Sequence, residues 1–84
     1  MTSQKGDIHA FIWFLTVDEP AREDIRASVS RLGRGWSFSA EKVHHRRKWR
    51  VRVEYRGTGS EAAYRKAKEK LRPILLRHEV VLMG

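Results

Sequence analysis

The chain has 84 residues, no cysteine and a formal net charge of +8. This length suits one small domain, and a chain without cysteine can form neither disulfides nor a thiolate metal site. No apolar run reaches the ~18 residues that a membrane span needs, and the start has no signal-peptide pattern. We therefore expect a cytoplasmic protein that does not enter a membrane, with a disordered lead over residues 1–7 and a single domain over residues 8–84.

The net positive charge lies entirely in the second half of the chain. Residues 1–40 carry five bases and five acids, whereas residues 41–84 carry thirteen bases and five acids. The stretch 42–56 alone holds seven Lys or Arg residues and one acid. Such asymmetry points to a polyanionic partner.

The first elements are a strand and a helix. Residues 8–17 are almost continuously apolar, which is typical of a central strand covered on both faces. Asp18 then provides an N-cap, and Pro20 suits the first turn of a helix. Gly33 and Gly35 end that helix. Its apolar stripe, at helical spacing, consists of Ala21, Ile25, Val29 and Leu32.

A β-hairpin follows, because residues 36–43 and 48–55 both alternate between apolar and polar side chains. If 44–47 form the loop, Trp36 lies opposite Tyr55 in antiparallel pairing. The same register predicts the pairs Phe38–Val53, Ser39–Arg52, Ala40–Val51, Glu41–Arg50 and Lys42–Trp49. A slip of one residue would place the aromatic side chains opposite the arginines.

The last predicted elements are a second helix and a closing strand. Ser60, or Thr58 with Glu61, can cap the helix. Pro73 is expected to kink or end it. Its apolar stripe consists of Ala63, Ala67, Leu71, Ile74 and Leu75. The β-branched and apolar run 79–83 then predicts a final strand.

The order strand, helix, strand, strand, helix, strand resembles the split βαβ pattern of ferredoxin-like domains. This resemblance in topology implies an α+β fold, βαββαβ, with a four-stranded antiparallel sheet in the order 4-1-3-2. Both helices would cover one face of the sheet and leave the other face open.

The open face decides the functional hypothesis. The first strand contributes to it either Phe11, Trp13 and Leu15 or Ala10, Ile12 and Phe14. Four aromatic residues of the hairpin already fill the core face, so we expect Phe11 and Trp13 on the open face. Aromatic side chains beside arginines form the stacking and phosphate-binding surface that RNA-recognition sheets use. The third strand lacks their glycine-aromatic consensus, so this similarity is one of physical logic.

We therefore predict a nucleic-acid-binding domain, for DNA or RNA, that uses the open face and the basic hairpin. The predicted site consists of Phe11 and Trp13 for stacking, Arg50, Arg52 and Arg56 for phosphates, and Arg46, Arg47 and Lys48 at the hairpin. The alternative is a homodimeric or adaptor module that uses the same face to bind protein, since a large exposed apolar patch usually marks an interaction site.

Neither an enzyme nor a metal protein is expected. The chain has no paired carboxylates near a cleft-forming glycine loop and no Ser-His-Asp set with a strained elbow. His44 and His45 are adjacent, so they would point apart on a strand, and no carboxylate lies nearby at ligand spacing. We expect no catalytic residue, cofactor or bound metal.

Overall fold

The computed structural model describes residues 8–44 and 46–80, which form three strands and two helices. The elements are β1 (Ile8–Val17), α1 (Glu19–Ser30), β2 (Trp36–Lys42), β3 (Trp49–Thr58) and α2 (Glu61–Leu76). The strands form one antiparallel sheet in the order β1-β3-β2. Within these described ranges, neither helix is long and apolar enough to cross a membrane.

The predicted hairpin register is confirmed. Trp36 pairs with Tyr55 and every further pair follows as expected. The amide of Val43 donates to the carbonyl of Lys48 at 3.0 Å and closes the loop. The alternating pattern specifies this register because a shift by one residue would move every apolar side chain to the other face.

Both helices begin at the predicted caps. The Asp18 carboxylate accepts a hydrogen bond of 3.0 Å from the amide of Ala21, and the Ser60 hydroxyl accepts one of 3.1 Å from the amide of Ala63. Each side chain satisfies an amide that the first helical turn leaves without a partner. The α2 helix continues through Pro73 rather than ending there.

The core lies between the helices and one face of the sheet. Buried side chains from the strands are Trp13, Leu15, Val17, Val51 and Val53. Those from the helices are Ala21, Ile25, Val29, Ala67, Leu71, Ile74 and Leu75. The predicted stripes of the two helices therefore supply most of one side of the core, as their helical spacing requires.

The predicted fold class is wrong, because the described structure is β-α-β-β-α with a three-stranded sheet. Of the predicted closing strand 79–83, Glu79 and Val80 are described and belong to no strand. Residues 81–83 lie outside the described residues. The ferredoxin-like βαββαβ fold with a four-stranded sheet is thus not what the chain forms over residues 8–44 and 46–80.

Hydrogen bonds at the end of α2 explain why no strand begins at residue 79. The amide of Glu79 donates to the carbonyl of Leu76 at 3.1 Å, and that of Val80 donates to the carbonyl of Leu75 at 3.0 Å. This pair of bonds is the Schellman motif, which requires a residue in the left-handed region. Glu79 occupies that region with φ 61°. The chain therefore turns back over the helix end, and local capping overrides strand propensity.

We expect Glu79→Gly to stabilise the protein by about 0.5–1 kcal/mol, because glycine removes the left-handed penalty at a smaller cost in unfolded-state entropy. Thermal melting should show a rise of several degrees. Glu79→Ala is the matched control, since it removes the same carboxylate but keeps Cβ, and it should give no rise. If Glu79→Gly lowered the melting temperature, an extended conformation at residue 79 would be correct instead.

Candidate nucleic-acid interface

The pairing of β1 with β3 places Phe11 and Trp13 on the helix-facing side of the sheet. Phe11 lies opposite Tyr55, and Trp13 lies opposite Val53. Directly opposite residues of an antiparallel pair project to the same face, so both side chains share the face of the core. Trp13 is only 9% exposed. The prediction that Phe11 and Trp13 form the open face is wrong.

The helix-facing side of the sheet has room for Phe11 and Trp13 because they belong to an aromatic cluster that extends beyond the enclosed core. Trp13 stacks on Trp36 and Tyr64 with ring centroids 6.0 and 6.1 Å apart. Phe11 meets the ring of Tyr64 edge-on at 5.2 Å. Trp36 and Tyr55 are only half-buried, so they do not compete with Trp13 for the enclosed volume. The core was predicted to be overfilled because Trp36 and Tyr55 were counted as fully enclosed.

The open face instead carries the other set of β1 side chains. Its members, paired with β3, are Ala10–Arg56, Ile12–Glu54, Phe14–Arg52 and Thr16–Arg50. Phe14 is 65% exposed and Ile12 is 40% exposed. Phe14 is therefore the aromatic side chain that the sequence analysis missed as a site residue. Phe14 belonged to the alternative set of open-face residues for β1, which was Ala10, Ile12 and Phe14. Only the pairing of β1 with β3 selects between the two sets.

Phe14, Arg50 and Arg52 line one shallow groove on the open face. Ser39, Ala40 and Glu41 complete the groove. Arg50 lies opposite Glu41 in the register, as predicted. Within the described part of the chain, Arg50 nevertheless makes no salt bridge. Its guanidinium and the Phe14 ring are therefore both available to a ligand.

Glu54 occupies the middle of the open face and engages the other two arginines of β3. It is 5% exposed, accepts a hydrogen bond of 2.6 Å from Arg56 and forms a salt bridge of 2.8 Å with Arg52. The hydrogen bond from Arg56 is the main reason that the pKa of Glu54 lies below its usual value, and the charges of both arginines add to the effect. Arg52 and Arg56 are thus partly neutralised, unlike Arg50.

The hairpin loop adds three exposed cations next to Arg50, namely Arg46, Arg47 and Lys48. Trp49, at the base of the loop, lies under the guanidinium of Arg22 at 4.1 Å, and this cation–π contact ties the hairpin to α1. From residue 48 to residue 52 the strand rises about 13 Å. We call the group Phe14, Arg46, Arg47, Lys48 and Arg50 the basic hairpin end. Within it, Phe14 and Arg50 line the groove, whereas Arg47 and Lys48 line hollows beside Asp18 at the start of α1.

Among residues 8–44 and 46–80, no three His, Asp or Glu side chains cluster as ligands for a metal ion. The chain matches no protein-family model, and comparisons with curated proteins and with solved structures found no match either.

We expect Glu54→Gln to lower the melting temperature at neutral pH, because it leaves Arg52 and Arg56 close together without their carboxylate. The folded pKa of Glu54 is depressed from 4.5, so its stabilisation is present above pH 4.5 and is lost as the pH falls through the folded pKa. The difference between wild type and variant should therefore shrink in acid.

Glu41→Gln is the matched control for this measurement. It removes a carboxylate from the same face, but Glu41 is exposed and forms no ion pair within the described residues. Melting curves should show a small effect at every pH. A Glu41→Gln effect equal to that of Glu54→Gln would contradict the assigned role of Glu54.

Proposed function

We propose that the protein binds nucleic acid through the basic hairpin end, in the cytoplasm. The observation that carries this proposal is the 65% exposed ring of Phe14 beside Arg50, which forms no salt bridge within the described residues. An aromatic ring exposed to this extent costs free energy in water unless a ligand covers it. A nucleotide strand supplies both a planar base for the ring and phosphates for the cations.

Phosphate binding falls to the uncompensated cations, which are Arg46, Arg47, Lys48 and Arg50. Each phosphate that they neutralise releases condensed counterions, so the interaction is strongest at low salt. Arg52 and Arg56 have a secondary part in the proposal, because both already form salt bridges with Glu54. They border the site and orient that carboxylate.

Phe14 takes the stacking role that the sequence analysis gave to Phe11 and Trp13. Stacking of a base on an aromatic side chain contributes ~1–3 kcal/mol and tolerates every base. Phe14 projects from β1 directly opposite Arg52, so a stacked base would lie beside a guanidinium. This arrangement favours a single strand, whose bases are free to leave their own stack.

The alternative is a homodimeric or adaptor module on the same face. It is supported by the exposure of Ile12 and Phe14 on β1, an edge strand of the sheet. Two copies that met over Phe14 would also bring their hairpin cations together, and like charges oppose association. A polyanion removes this conflict, and we therefore prefer nucleic acid.

The first test replaces Arg46, Arg47 and Arg50 with alanine and measures oligonucleotide affinity at several salt concentrations. If each arginine meets one phosphate, the slope of log affinity against log salt should flatten by about two to three. Binding to all sequences should weaken alike, because phosphates carry no base information.

The control for this test removes the same charge elsewhere. Arg26, Arg31 and Arg34 are exposed on α1 and the following loop. Their triple alanine variant should keep most of the salt slope. Equal slopes for the two triple variants would show that the net charge alone attracts nucleic acid, and no binding by the wild type at low salt would end the proposal.

The second test is Phe14→Ala, which should weaken single-strand binding by ~1–3 kcal/mol and leave the salt slope nearly unchanged, because stacking releases no counterions. Ile12→Ala, on the same face of the same strand, removes apolar area without a π-face and should have a smaller effect. Size measurements in solution should give the same molecular mass for all three proteins. A wild-type dimer that Phe14→Ala dissociates would favour the protein-binding alternative.

A further inference from the structure

A second concave site lies on the helix-facing side of the sheet, away from the basic hairpin end. It is a cleft between α2 and the end of the sheet, lined by Trp36, Tyr55, Ala63, Lys66, Ala67 and Lys70. We call it the aromatic–lysine cleft. No residue of the basic hairpin end contributes to it.

The aromatic wall of the cleft is held in place by two glycines. The rings of Trp36 and Tyr55 have centroids 4.8 Å apart and are tilted by 40°. A Cβ on Gly57 would lie 2.7 Å from Cε2 of Tyr55, and one on Gly35 would lie 3.1 Å from Cε1. The backbone at both glycines therefore packs against the Tyr55 ring and fixes its position. Both rings remain half-buried, so part of each faces the cleft.

The helix side of the cleft combines small and cationic side chains. Ala63 and Ala67 leave space beside the rings, since neither side chain extends beyond Cβ. Lys66 and Lys70 are exposed and lie one turn apart, which places them next to each other on the same face of α2. The cleft thus has an aromatic wall of two tilted rings and a doubly cationic rim.

The two lysines have no compensating acid in the lining. The carboxylates of α2 belong to another stripe, where Glu61 pairs with Arg65 at 3.2 Å and Glu69 pairs with Arg72 at 3.6 Å. Within the described residues, no salt bridge reaches the lysines of the rim. The rim therefore attracts an anion, whereas the arginine stripe is close to neutral.

We propose that the aromatic–lysine cleft binds a nucleotide, with the base against Trp36 and Tyr55 and the phosphate between Lys66 and Lys70. A planar apolar group joined to an anion is the chemistry that both halves of the cleft recognise. The ligand is either a free nucleotide or one nucleotide of a strand. The proposal does not depend on binding at the basic hairpin end, which uses different residues on the opposite face.

The test titrates AMP into the protein and follows tryptophan fluorescence and heat, with adenosine and inorganic phosphate as separate probes. AMP should saturate the protein and bind more tightly than either probe. Lys66→Ala with Lys70→Ala should weaken AMP binding on the order of tenfold. Arg65→Ala with Arg72→Ala removes the same charge from the same helix and should change affinity less than about twofold. Ala63→Leu should fill the cleft and abolish binding, while circular dichroism verifies that each variant is folded.

A second arm uses a short single-stranded oligonucleotide and separates the two sources of the ligand. If only the oligonucleotide responds to the double lysine variant, the cleft takes a nucleotide of a strand. Phe14→Ala should leave AMP binding unchanged, so failure at the hairpin end and failure at the cleft are distinguishable. The proposal is overturned if phosphate alone binds as well as AMP. It is also overturned if AMP does not saturate and the lysine and arginine double variants bind the oligonucleotide equally.

Discussion

The alternation of side chains along β3 is the constraint on which the rest of the structure depends. Val51 and Val53 are 0% exposed on one face of this central strand, while Arg50 and Arg52 project from the other. Both neighbouring strands pair with it. A slip of β2 by one residue would place Ser37, Ser39 or Glu41 opposite the buried valines. The arginines cannot enter the core without losing their hydration, and this cost fixes which face of β3 is buried.

The single acid on β3 determines how the positive charge is distributed over the open face. The three arginines on this face of one strand repel each other, and Glu54 relieves this repulsion for Arg52 and Arg56 by forming a salt bridge with each. Arg50 lies beyond that arrangement and adjoins the hairpin loop. The uncompensated charge is therefore concentrated at one end of the sheet, next to Phe14, rather than spread evenly along the strand.

Features that depend on nearby residues could be predicted from the sequence, and features that depend on distant pairing could not. The caps at Asp18 and Ser60 and the hairpin register follow from patterns within a few residues of each other. The β1 strand is apolar on both faces, so its own pattern does not distinguish Phe11 and Trp13 from Ile12 and Phe14. The choice follows only from its register with β3, some forty residues later. The absence of a fourth strand from residues 8–44 and 46–80 has a different cause, because backbone hydrogen bonds at the end of α2 take up Glu79 and Val80.

The basic hairpin end and the aromatic–lysine cleft lie at opposite ends of β3 as well as on opposite faces. Arg50 and Tyr55 are five residues apart along the strand, which corresponds to about 17 Å. A ligand at one site therefore leaves the other free. One path between the two sites crosses the β2 edge of the sheet, where the exposed side chains of Ser37 and Ser39 are small and uncharged. At these two positions the sheet places no steric or electrostatic barrier on that path. Binding at the two sites is coupled only if one nucleotide strand is long enough to follow it.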